Sequence, residues 1–154
     1  MPDEMKASHV LVPPARADGR SAKLNAEDPA GPYGFFGRHI LADLYGIDAE
    51  ALNDAPYLCS LLEAGIVRSG ATLIKTVDFV FQPSGVTLLM LLAESHVSLH
   101  TYPDESRAFF DAFTCGTTCD PHQILRMFCD EFPQCTWRMT ALMRGDPQTE
   151  RLSF

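Results

Sequence analysis

The stretch Glu94-Ser95-His96-Val97-Ser98-Leu99-His100-Thr101-Tyr102-Pro103 and, a little further on, Phe113-Thr114-Cys115-Gly116 gather hydroxyls, imidazoles and a thiol in an otherwise apolar part of the chain. Such side chains serve as nucleophiles, proton carriers or metal ligands. Metal binding is one reading: His96 and His100 are an even number apart and so share a face of a strand, and Cys115 with Cys119 would complete a tetrahedral zinc site. Four residues of strand, however, hold the two imidazoles about 13 Å apart, too far for one ion. The spacing also matches no common zinc pattern, and no metal is expected. A structural reading packs Cys115 as a small hydrophobe and satisfies the histidines within a sheet. It accounts for each residue singly but not for their concentration.

The elements that must position these residues follow from periodicity. His96–Tyr102 alternates Val97 and Leu99 against His96, Ser98 and His100, a strand with one polar face. Thr72–Phe81 and Val86–Ala93, joined through Pro83-Ser84-Gly85, form a hairpin before it. Arg38–Leu44, Ala108–Phe113 and Thr136–Met143 read as further strands. Leu58, Leu61, Leu62 and Ile66 recur at helical spacing, predicting a helix over Ala55–Ser69 with Asn53 or Asp54 as its cap, Pro56 in its first turn and Gly70 at its end. Asp120-Pro121 opens a second helix over His122–Glu131. Strands joined mostly by hairpins, plus two helices, predict an α+β domain: an antiparallel sheet with helices packed on one face.

A chain of 154 residues suffices for one domain with a real core. Residues 1–36, rich in Pro, Ala, Gly and charge, read as a flexible extension, and residues 37–154 as the folded domain. The longest apolar run, Val86–Ala93, is far too short to span a membrane, and Met1–Lys6 lacks the profile of a secretion signal. Five cysteines, an odd number at irregular spacing, argue against a disulfide framework and suit the cytoplasm. A net charge of −8 disfavours nucleic acid and anionic membrane as partners. It suits a cationic substrate or product, or simply a surface kept soluble by carboxylates.

Glu94-Ser95-His96, His100-Thr101 and Phe113-Thr114-Cys115-Gly116, with Gly37-Arg38-His39 and Ser69-Gly70-Ala71-Thr72, resemble in order and spacing the signature of the bacterial S-adenosylmethionine decarboxylases, from about Gly37 to Met127. The resemblance implies an inactive precursor that cuts itself between Glu94 and Ser95. The Ser95 hydroxyl attacks the preceding carbonyl to form an ester, and elimination and hydrolysis leave a covalent pyruvoyl group at the new N-terminus. A substrate amine would form a Schiff base with that keto group, which withdraws the electrons released as carbon dioxide departs. His100 matches the histidine that assists processing, Cys115 the proton donor, and Thr87 stands where the family usually carries a processing serine. The resemblance also implies the family's protomer fold and a homodimer whose active sites lie where protomers meet. The product would be the aminopropyl donor for spermidine. A catalytically silent, regulatory relative would have no need to keep Ser95, His100 and Cys115 together.

Two expectations remain open at this level. A fully extended Ser95–His100 segment separates the two residues by about 16 Å, so either the chain bends at the cleavage site or His100 acts indirectly. The substrate is the second. Phe81 matches the phenylalanine that stacks on adenine, but the family's usual Trp-Pro-Glu reads Tyr102-Pro103-Asp104 here, with an acid one methylene shorter beside the nucleoside. Asp78 and Glu105 are extra acids that would suit a basic side chain, which keeps arginine (to agmatine) and ornithine (to putrescine) as alternative substrates.

Overall fold

The computed structural model describes residues 35–145; the expected N-terminal extension, apart from Phe35 and Phe36, lies outside the described residues. Six strands, β1 (Gly37–Tyr45), β2 (Leu73–Val80), β3 (Val86–Leu92), β4 (Ser95–Tyr102), β5 (Arg107–Cys115) and β6 (Thr136–Arg144), form one sheet in the order β2-β3-β4-β5-β1-β6. Every neighbouring pair is antiparallel. Helices α1 (Ala49–Asn53), α2 (Ala55–Arg68) and α3 (Pro121–Asp130) complete the α+β fold.

Period-two alternation decides which face each strand residue takes. Ile40, Ala42 and Leu44 of β1, Leu88 and Met90 of β3, Val97 and Leu99 of β4, and Phe110 and Ala112 of β5 are buried. They pack beneath Leu58, Leu62 and Ile66 of α2 and Ile124, Leu125 and Phe128 of α3, a single core on one side of the sheet. The intervening residues, His39, Thr87, His96, Ser98, His100, Asp111 and Cys115 among them, take the face without helices. These candidate residues therefore share the open side of a sheet whose other side is fixed by core packing.

Helix ends follow local chemistry. Asp54 caps α2 by accepting from the Tyr57 amide, with Pro56 in the first turn, and Asp120 caps α3 by accepting from the His122 amide. The short helix α1, capped by Asp48, was not foreseen; five residues are too few to display a periodic stripe. A single 3₁₀ turn at Pro103–Glu105 links β4 to β5. The predicted strands and helices recur with ends displaced by one or two residues.

Candidate active site

One end of the open face assembles around the Glu94–Ser95 peptide bond. Antiparallel pairing of β4 with β5 sets Ser95 opposite Thr114, and the Cys115 amide donates to the Glu94 carbonyl oxygen at 2.9 Å. The Glu94 carboxylate is buried and accepts from the Thr72 amide at 2.9 Å, while the Ala93 amide donates to the Thr72 carbonyl. The residue before the bond is thus held at both its carbonyl and its side chain. Ser95 has a φ of 155°, outside the regions that side-chain-bearing residues favour, a conformation that costs on the order of 1–3 kcal/mol. Gly37 serves the same corner: a Cβ there would lie 2.5 Å from the Thr114 carbonyl oxygen, so only glycine lets β1 approach β5 this closely.

Around Ser95 stands a polar group that pattern reading did not assemble. Ser95 Oγ lies 3.1 Å from His96 Nδ1, His96 Nε2 lies 2.9 Å from Asp111 Oδ1, and His39 Nε2 lies 2.6 Å from Asp111 Oδ2. Asp111 was missed because its contacts reach residues far away in sequence. The available signal was a lone acid in the apolar run Ala108-Phe109-Phe110-Asp111-Ala112-Phe113. The thiol of Cys119, buried behind this corner, is pushed up by burial, an effect the Thr118 hydroxyl partly offsets and the Glu94 carboxylate reinforces.

The other end of β4 holds a separate cleft of about 520 Å³, lined by Phe81, Thr87, His100, Tyr102, Asp104 and Glu105 among others. Thr87 pairs with His100 across β3 and β4, and the Thr87 hydroxyl lies 2.9 Å from His100 Nδ1. The Phe79 and Phe81 rings meet edge-on at 4.8 Å, and Tyr102 meets Phe109 at 5.4 Å. The Ser84 hydroxyl donates to Asp104 at 3.3 Å.

The residues singled out from sequence therefore fall into two groups. Phe81, Thr87, His100, Tyr102 and Asp104 come together, as do Glu94, Ser95 and Cys115, but the groups occupy opposite ends of a continuous strand. The bend that would have joined Ser95 to His100 within one chain is absent: β4 pairs with β5 without interruption from Ser95 to Tyr102. The four-residue zinc arrangement does not form either, because His96 turns to Asp111 and His100 to Thr87. Asp78 takes the helix side of β2, opposite Leu88 and within electrostatic range of Cys59, so it cannot serve the cleft. Glu105 does line the cleft, but its carboxylate is paired with Arg107 at 3.2 Å.

Comparison with known proteins identifies the family. A family model described as S-adenosylmethionine decarboxylase matches residues 38–145. The chain is 46% identical over 89 residues to S-adenosylmethionine decarboxylase proenzyme 2 of Bacillus cereus, covering 58% of this chain and 72% of that protein. It is 37% identical over 109 residues to the proenzyme of Archaeoglobus fulgidus, covering 71% and 97%. The crystal structure of adenosylmethionine decarboxylase from Aquifex aeolicus superposes with a TM-score of 0.68 at 32% identity, over 77% of this chain and 98% of that one. A sheet with this open face, and sequence agreement over most of the described residues, place the chain in the S-adenosylmethionine decarboxylase family, whose members are pyruvoyl-dependent carboxy-lyases.

Proposed function

We propose that this chain cuts itself between Glu94 and Ser95, converts Ser95 to a pyruvoyl group, and uses it to decarboxylate S-adenosylmethionine to the aminopropyl donor of spermidine synthesis. The observation that carries the reading is the hydrogen bond from the Cys115 amide to the Glu94 carbonyl, the group that Ser95 must attack. A donor fixed on that oxygen favours the negative charge that develops there. The unusual φ of Ser95 raises the energy of the uncut chain, and cleavage releases it. These features fit a serine destined for conversion.

Once formed, the keto group supplies an electrophile that takes the substrate amine and draws off the electrons freed as carbon dioxide leaves. The chain's own residues supply the rest. Cys115, one residue beyond the partner of Ser95, holds the proton that replaces the lost carboxylate. Phe81 and Tyr102 offer aromatic faces to a purine, and Asp104 offers a carboxylate to ribose hydroxyls. With Asp78 on the other side of the sheet and Glu105 paired to Arg107, neither of the two extra acids is offered to a basic side chain.

The two half-sites belong together only if a second copy supplies one of them. On the open face Leu41, Val77, Phe79, Leu89, Leu91 and Phe109 are each about half exposed. Apolar surface of this extent marks an interface. Two such sheets pack about 10 Å apart, and a two-fold axis crossing the strands would bring Ser95 and Cys115 of one copy over Thr87 and His100 of the other. The working unit is thus a homodimer. A cytoplasmic setting agrees with five unpaired cysteines, and no helix among the described residues is long and apolar enough to cross a membrane.

Release of labelled carbon dioxide from S-adenosylmethionine, arginine and ornithine, offered separately, tests the reading. Release from S-adenosylmethionine alone is expected, and none after Ser95→Ala. Release from arginine or ornithine instead would overturn the substrate, and no release from any would overturn the activity.

A further inference from the structure

We propose that His96 is the base that activates Ser95 for self-cleavage, held in place by Asp111 and His39; this deepens the self-cleavage reading and rests on it. The chain of contacts runs across three neighbouring strands: Ser95 Oγ to His96 Nδ1 at 3.1 Å, His96 Nε2 to Asp111 Oδ1 at 2.9 Å, and Asp111 Oδ2 to His39 Nε2 at 2.6 Å. One assignment of protons satisfies all three. Ionised Asp111 accepts from the Nε2–H of both histidines, which leaves His96 Nδ1 with a lone pair facing the serine hydroxyl. With His39 occupying the second carboxylate oxygen, Asp111 cannot swing away from His96 without losing a charge-assisted bond.

The sheet register makes this placement unavoidable. Phe113 of β5 lies opposite both His39 of β1 and His96 of β4, and Asp111, two residues along the same face, reaches diagonally to each. The Phe113 ring packs 5.3 Å from His39 and 6.2 Å from His96, with the Arg144 guanidinium 4.5 Å above it. His100 of the same chain lies about 16 Å along the strand and cannot take this proton directly.

The step balances. Ser95 Oγ forms a bond to the Glu94 carbonyl carbon as its proton passes to His96 Nδ1, and the carbonyl electrons move onto the oxygen held by the Cys115 amide. Collapse of that centre breaks the carbon–nitrogen bond. His96 returns the proton to the departing Ser95 nitrogen, leaving an ester and a free amine with no net change in protonation. His96 touches the reacting atom; Asp111 and His39 are positioning residues.

Cell-free synthesis of the full chain, with precursor loss followed by gel and intact mass, tests this. His96→Gln is expected to slow cleavage by about 100-fold or more, the loss typical of a removed general base. Asp111→Asn should follow and His39→Gln should be mildest, with melting temperatures showing that each variant folds. Because the block precedes ester formation, none should accumulate a species cut by hydroxylamine. Ser95→Cys in the His96→Gln background should restore hydroxylamine-sensitive cleavage, since a thiol ionises without a strong base; a purely structural role for His96 would not be bypassed this way. The proposal falls if His96→Gln cleaves at the native rate, if it accumulates the ester, or if the thiol fails to rescue it. It falls also if a chelator halts native cleavage and zinc restores it, since His39, His96 and Asp111 would then be metal ligands. A native chain that never cleaves would instead sink the self-cleavage reading itself, an outcome separable from all of these.

Discussion

At the scale of single residues, Cys115 plays two parts that one substitution separates. Its backbone N–H donates to the Glu94 carbonyl, and in the proposed reaction its side chain carries the proton that replaces the lost carboxylate. Cys115→Ala keeps the N–H and loses the thiol, so cleavage should proceed at close to the native rate while turnover drops by about 100-fold or more, a typical contribution of a positioned proton donor. Intact mass and carbon dioxide release on the same sample check both halves. Impaired cleavage would assign the thiol to processing, and native turnover would remove it from the chemistry. Ser95 and Cys115 could be singled out as candidates from the sequence because their neighbours form a spaced motif. Asp111 could not, since its contacts lie 15 and 72 residues away and exist only once β1, β4 and β5 are in register.

At the scale of elements, helix α2 carries Cys59, which faces the edge of the sheet and donates to Glu63 at 3.4 Å. Burial first, and then that hydrogen bond to an acid, push its thiol up to about 11. An unfolded thiol ionises at an ordinary value near 9.0, so the folded chain resists losing a proton that the unfolded chain releases. Stability from this group is complete below pH 9 and declines as pH rises through 11. Denaturant unfolding across that range should show the decline, and Cys59→Val should make it shallower, leaving the smaller part due to Tyr57, Cys119 and Cys129; an unchanged slope would mean that other groups cause it. The helix itself was legible, because Leu58, Leu62 and Ile66 form a stripe and Asp54 with Pro56 marks its start. Which face of β4 met the helices was legible too, from its alternation, whereas the face of β2 was not, and Asp78 takes the helix side. The order of the strands was not, since β1 inserts between β5 and β6 through pairings that no local pattern encodes.

At the scale of the whole molecule, a continuous β4 keeps the cleavage corner and the cleft apart, and the proposed second copy would unite them. Co-expression tests this: a Cys115→Ala chain and an Asp104→Ala chain should each be nearly inactive alone. Random pairing would leave about a quarter of all sites with both halves intact, so activity should return to about that fraction. No recovery would mean that each chain builds its site from its own residues. The more direct measurement concerns the backbone itself. Intact mass of the freshly purified protein should show two pieces divided between Glu94 and Ser95, the C-terminal piece blocked to Edman chemistry and reactive toward hydrazine. A folded, undivided chain with no reactive carbonyl would contradict the account at its root.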